Sequence, residues 1–203
     1  SDSKNVTFVG HEVTVTPKIN GSASAATVAY GSTVNLDCEV NYLPEPSTVK
    51  TYTWGPASAI NGDYQSQTAV SNALTAGGTF TIAVVDNNNC KAQNTISYGV
   101  TGTELKVTLT NVYLCAGAET PLSAQTTGGT GTAMDYTWIS VDGRLAFDDV
   151  KAANPKVTTQ TPGNYPVKVE ITQGAQTVTS NEMTLTIGAK PSLQSMAFYK
   201  VNI

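Results

Sequence analysis

Three cysteines, Cys38, Cys90 and Cys115, and one histidine, His11, are the side chains in this sequence best suited to nucleophilic, redox or metal chemistry. A zinc site takes three or four ligands, usually from CxxC or HxxxH clusters, and no two of these four residues stand closer than 25 positions in the chain. On that spacing no metal and no cofactor is expected. A Ser-His-Asp or Cys-His device would have to use His11, in Gly10-His11-Glu12-Val13 at the head of the first strand-like segment. No GxSxG elbow accompanies it, so it reads as a solvated strand-end histidine and no catalytic residue is assigned. An odd number of cysteines implies one bridge and one leftover thiol in an oxidising compartment, or no bridge at all.

The acidic residues give little more. Asp142, Asp148 and Asp149 in Asp142-Gly143-Arg144-Leu145-Ala146-Phe147-Asp148-Asp149 invite a calcium reading. The alternating Asp/Asn spacing and closing Glu of an EF-hand loop are missing, and a solvated hairpin is expected instead. For ligand binding, the candidates are Tyr64 and Asp63, in Asn61-Gly62-Asp63-Tyr64-Gln65, where a loop would offer an aromatic face beside amide and carboxylate groups. The bland alternative is a tyrosine lying on its own domain. Trp54 and Trp138 sit in alternating Tyr-x-Trp segments and are expected in the core rather than against a sugar ring. Asn5-Val6-Thr7 and Asn20-Gly21-Ser22 match the glycosylation acceptor pattern, as chance allows in a chain so rich in Ser and Thr.

These residues must be positioned by strands. The chain has 203 residues, 31 of them threonine, with only 13% charged and 7% aromatic, a composition that favours pleated, half-buried strands over helices. Eleven basic residues against 15 acidic give −4, and with no Lys/Arg cluster to neutralise phosphates, nucleic acid is not an expected partner. No apolar run approaches the roughly 18 to 20 residues that cross a bilayer, and no signal segment opens the chain. Residue 1 is serine, so a trimmed or processed chain is expected, and Ser1-Asp2-Ser3-Lys4-Asn5 would suit a tether.

The most informative signal is self-similarity. Tyr52-Thr53-Trp54 recurs as Tyr136-Thr137-Trp138 at an offset of 84. Gly31-Ser32-Thr33-Val34-Asn35-Leu36 is answered by Gly117-Ala118-Glu119-Thr120-Pro121-Leu122 at 86, and Gly78-Thr79-Phe80-Thr81-Ile82 by Gly163-Asn164-Tyr165-Pro166-Val167 at 85. Within each repeat the period is two: Val34, Leu36, Cys38 and Val40 face inward, as do Ile96, Tyr98 and Val100, and in the second repeat Leu105, Val107 and Leu109 and then Met183, Leu185 and Ile187. Asn20-Gly21, Asn61-Gly62, Asp142-Gly143 and Asp86-Asn87-Asn88-Asn89 suit tight hairpins, and Pro44-Glu45-Pro46 reads as a loop.

This pattern resembles the immunoglobulin-like sandwich, including the PKD-like modules repeated in bacterial cell-surface proteins, and the likeness runs twice over nearly the whole chain. The segment Gly31 to Cys38 looks like the family's second strand with its inward cysteine, and Trp54 falls where the family buries a tryptophan on its third. Tyr165 takes the place of the tyrosine whose hydroxyl ties down a corner, where the first repeat has Phe80. The family's partner cysteine is replaced by Ile82, and in the second repeat both cysteine positions are apolar, Ala124 and Val167, so the usual cross-sandwich disulfide is missing from both. Cys90 lies about 10 Å along the strand from the expected position, beyond the roughly 7 Å Cα limit unless the strands tilt. A Cys38–Cys90 bridge and two reduced, packed thiols both stay open, with Cys115 unpaired. The acidic Asp-Phe-Gly-Asp-Gly stretch of PKD modules is missing after both tryptophans.

The expected fold is therefore all-β, two tandem immunoglobulin-like β-sandwich domains over residues 1–102 and 103–188, with 189–203 as a C-terminal tail or extra edge strand that includes Phe198 and Tyr199. The resemblance implies a non-catalytic adhesion or spacer module of a secreted or surface-anchored bacterial protein, meeting an extracellular protein or glycan. The alternative is a carbohydrate-binding module attached to polysaccharide uptake.

Overall fold

The computed structural model describes residues 11–43 and 46–190. The Ser1 to Asn5 opening, Pro44 and Glu45 of the expected loop, and the stretch carrying Phe198 and Tyr199 lie outside the described residues.

The chain divides into two compact units, one covering the chain up to Glu104 and the other most of it from Leu105 onward. In the first, β1 (Glu12–Ile19) pairs antiparallel with β3 (Asn35–Leu43), which pairs with the short β5 (Ala69–Val70). A second sheet orders β2 (Ala26–Ala29), β7 (Lys91–Thr101), β6 (Gly78–Asp86) and β4 (Val49–Gly55), with β2 running parallel to β7. Alternation along β1 and β3 sends Val13, Val15, Leu36 and Cys38 inward, and along β4, β6 and β7 it sends Trp54, Phe80, Ile82, Val84 and Ile96 inward; all of them share one core. Two sheets closed over a common apolar layer, with the successive strands β1 and β2 at the edge of one sheet and then of the other, make an immunoglobulin-like β-sandwich.

The second unit repeats the plan in shorter pieces: β8 (Thr103–Thr108), β9 (Val112–Cys115), β10 (Glu119–Pro121), β11 (Gln125–Gly129), β12 (Asp135–Ser140), β13 (Lys156–Thr158), β14 (Gly163–Gln173), β15 (Gln176–Thr179) and β16 (Met183–Gly188). One sheet orders β12, β14, β16 and β9, with β15 on β14 and β9 parallel to β16; β8 with β11 and β10 with β13 form the opposite layer. Leu105, Val107, Leu122 and Val157 meet Trp138, Tyr165, Val167, Val169, Leu185 and Ile187 in a second core. Where the first unit has one continuous β3, the second has the separate pieces β10 and β11. Pro121 supplies no N–H at the break, and Gly128 and Gly129 adopt positive φ of 74° and 85° at the far end.

The repeat extends to single hydrogen bonds. Trp54 donates its backbone N–H to the Tyr64 carbonyl at 2.8 Å and its indole Nε1–H to the Ser66 carbonyl at 3.1 Å. Trp138 does the same to Val150 at 2.9 Å and Ala152 at 3.0 Å. The two units differ in register: Trp54 lies opposite Ile82, whereas Trp138 lies opposite Val169 rather than Val167. A slip of two residues keeps the same side chains inward, so the core tolerates it. Tyr165 is buried and its hydroxyl donates to the Thr161 carbonyl at 2.8 Å, while Phe80 stacks on Tyr98 with ring centroids 4.8 Å apart.

Of the expected hairpin turns, Asn20-Gly21 is a tight two-residue turn in which Ile19 and Ser22 exchange backbone hydrogen bonds at 2.8 and 2.9 Å across residues with φ of 50° and 83°, but it joins no hairpin, because β1 pairs with β3 and β2 with β7. Asp86 to Asn89 turns β6 into β7. Asn61-Gly62 and Asp142-Gly143 instead lie within the connections that follow β4 and β12, so they are turns inside loops rather than hairpins.

Candidate functional site

His11 stands one residue before β1 in one sheet of the first unit, while Asp86 ends β6 and Cys90 precedes β7 in the other. Packing β1 against β7 brings all three together, with Asn94 Nδ2 donating to the Val15 carbonyl at 3.0 Å further along the same strands. His11 Nε2 lies 2.6 Å from Asp86 Oδ2, and with Cys90 Sγ the three donor atoms lie within 4.8 Å of one another. No other such group of three histidine, cysteine or acidic side chains occurs among the described residues.

The turn is built to hold the carboxylate. Asp86 Oδ1 accepts the backbone N–H of Asn88 at 2.9 Å and of Cys90 at 2.8 Å, and the Asp86 N–H donates to the Cys90 carbonyl at 3.0 Å. Asn89 takes a positive φ of 62°, which asparagine tolerates. The Asn87 N–H donates to the Thr48 carbonyl at 3.0 Å, and the Asn88 side chain reaches the Ser47 hydroxyl at 3.4 Å, tying the turn to the approach of β4. Asp86 is fully buried. Burial alone would raise its pKa, but the Cys90 N–H, His11, the Ser47 hydroxyl and the Asn88 N–H together hold it below the ordinary carboxylate value. The His11 ring stacks beside Tyr42, centroids 6.2 Å apart, and Cys90 Sγ approaches the His11 carbonyl oxygen at 3.8 Å.

Of the sequence-predicted residues Cys90 belongs to this cluster, and the others lie elsewhere. Cys38, Cys90 and Cys115 are all free thiols, so the Cys38–Cys90 bridge does not form. Asn94 is the residue opposite Ile82, and Cys90 is four positions further on, about 13 Å along the strand. Cys38 is buried and directed to the Gln67 carbonyl; that burial, with Asp37 nearby, pushes its thiol up to about 11 and keeps it protonated and unreactive.

Tyr64 is half-buried and packed against the core of its own sandwich, while Asp63 is exposed and accepts the Gln65 N–H at 2.7 Å. Asp63 lines an open groove of about 510 Å³ with Asn35, Asp37, Asn61, Ser66 and Thr68, and Tyr64 is outside it. Asp142, Asp148 and Asp149 do not converge. Asp142 is paired with Arg144, Asp148 Oδ1 accepts the N–H groups of Asp149 and Lys156 at 2.7 Å each, and Asp149 Oδ1 accepts that of Lys151 at 2.8 Å.

No protein-family model and no curated protein matches this sequence. Solved structures similar to it are immunoglobulin-like and PKD-like domains. The D00-D0 domain of intimin is 12% identical, with 85% of this chain and 99% of that one covered, at a TM-score of 0.37. The PKD domain of human KIAA0319 is 17% identical over 48% of this chain and 92% of its own, also at 0.37. The three N-terminal domains of the bacteriophage RB49 outer capsid protein Hoc are 16% identical over 88% and 59%, at 0.41. At these scores the likeness adds nothing to what the sheets themselves establish. Among the described residues no helix is long and apolar enough to cross a membrane.

Proposed function

We propose that this chain is a non-catalytic adhesion or spacer module of a secreted or surface-anchored bacterial protein. The observation that carries this reading is how each unit uses its interior. Both indoles and the inward faces of both sheets close over apolar cores, and every buried side-chain nitrogen or oxygen among the described residues has a partner. Such an interior offers no substrate pocket and leaves loops and threonine-rich strand faces as the surfaces for contact. A surface rich in uncharged Thr, Ser, Asn and Gln stays soluble without a large net charge, which suits an extracellular setting.

A carbohydrate-binding reading draws on the open groove beside Asp63, which mixes polar side chains with Leu36, Ala69 and Val70. The two readings separate on one set of measurements. The adhesion or spacer reading expects surface labelling of intact cells by antibodies to this chain, no turnover of peptides or polysaccharides, and silence on a broad glycan array. Micromolar glycan binding abolished by Asp63→Ala or Tyr64→Ala would move the assignment to carbohydrate binding. Hydrolysis of any polymer by the purified chain would overturn both.

A further inference from the structure

The geometry points to a metal site at one end of the first sandwich, in which His11 Nε2, Asp86 Oδ2 and Cys90 Sγ take a borderline divalent ion of the zinc class, with water completing the shell. Imidazole, carboxylate and thiolate together are the donors such an ion uses, whereas calcium and magnesium take oxygen alone. A tetrahedral zinc ion with these ligands sets them about 3.3 to 3.6 Å apart. The His11–Asp86 contact, now 2.6 Å, therefore opens by about 0.7 Å, and Sγ closes by at most about 1.2 Å. Both changes lie within a side-chain rotation. On binding, the Cys90 thiol gives its proton to solvent, and the His11 ring presents a lone pair at Nε2 with its hydrogen carried on Nδ1.

Two further observations support the assignment. The first is the support around the donors: Oδ1 of Asp86 is fixed by two backbone N–H groups, which aims Oδ2 at His11, and the Tyr42 ring lies against the imidazole. The second comes from the repeat. Across the two-residue register shift the counterpart of Asp86, which ends β6, is Gln173, which ends β14; both are buried and polar, but among the described residues only the first unit brings a histidine and a cysteine to that strand end.

Cobalt(II) is the direct probe, because a thiolate ligand gives a charge-transfer band in the near ultraviolet. One equivalent of Co²⁺ added to the metal-stripped protein is expected to produce that band, and Zn²⁺ to abolish it. Zn²⁺ is also expected to shield Cys90, but not exposed Cys115, from alkylation mapped by mass spectrometry. Cys90→Ser is expected to lose the band, and His11→Gln to weaken Zn²⁺ binding by at least the tenfold or so that losing even a supporting group costs. Cys115→Ser is expected to leave everything unchanged. His11 precedes β1 and lies outside the core, so His11→Gln keeps the test open should Cys90→Ser disturb the turn; circular dichroism verifies both folds. A missing band at millimolar Co²⁺, a band that follows Cys115 instead of Cys90, or Cys90 alkylation unaffected by Zn²⁺ would overturn the site.

Discussion

Ser71 and Ser180 are buried hydroxyls, and each completes a backbone ladder rather than a side-chain network. Ser71 Oγ accepts the Val34 N–H at 2.9 Å, and Ser180 Oγ accepts the Val169 N–H at 3.0 Å while donating to the Asn181 carbonyl at 2.8 Å. Replacing either by alanine leaves an amide with no partner in a place water does not reach. Ser71→Ala and Ser180→Ala are each expected to cost about 1 to 3 kcal/mol in urea unfolding, against less than about 0.5 kcal/mol for the exposed Ser24→Ala. Equal midpoints for all three would mean the buried amides find other acceptors. Neither serine stands out in the sequence; alternation points Cys38, Trp54 and Trp138 inward, the family resemblance singles out Tyr165, and all four are buried. The His11, Asp86 and Cys90 cluster is not legible in this way, because 75 positions separate its histidine from its carboxylate and a search on cysteine and histidine spacing passes over an aspartate. A signal was nonetheless present: along β6 the inward parity of Phe80, Ile82 and Val84 continues to Asp86, an acid on the core side of a strand.

Turns and strand ends carry the next level of organisation, and Asp142 illustrates how. It follows β12, where Oδ1 accepts the Arg144 N–H at 3.0 Å and Oδ2 meets Arg144 Nε at 2.7 Å, while the same guanidinium donates to the Asn164 carbonyl at 2.7 Å and lies 5.0 Å from the centre of the Tyr165 ring. The Arg144 N–H, against some desolvation and with help from the guanidinium and the Ser140 hydroxyl, holds the carboxyl below its ordinary value of 3.8. A folded value below the unfolded one means the stabilisation is present above the ordinary carboxylate range and is lost as pH falls through the folded value. The wild type is therefore expected to exceed Asp142→Asn in thermal midpoint at neutral pH, with the gap shrinking on acidification below that range. A gap independent of pH would place the effect in the turn's geometry rather than in the charge. The dipeptide Asp142-Gly143 announces a turn, but which strands the turn joins depends on pairing partners far away in sequence. The same limit applies to the separate pieces β10 and β11: Pro121 marks the break in sequence, but the layer they rejoin is set by their partners β13 and β8.

At the scale of the chain, the internal repeat announced two cores, and each closes around one tryptophan, 1% exposed at Trp54 and 3% at Trp138. A polypeptide with a single indole per core carries its own pair of reporters. In Trp54→Phe the remaining fluorescence follows the second core, and in Trp138→Phe it follows the first. Ile82 is wholly buried in the first core, and truncating it to alanine removes transfer free energy and leaves a cavity, at a cost of about 2 to 5 kcal/mol. If the two cores are separate cooperative units, Ile82→Ala lowers the denaturation midpoint reported by Trp54 and leaves that reported by Trp138 where it was, while Val167→Ala in the second core does the reverse. A common shift of both midpoints by either substitution would mean that the chain unfolds as one body. The partner these modules meet is outside the reach of such patterns, because periodicity records what a strand turns toward its own core and is silent on what its loops present to another molecule.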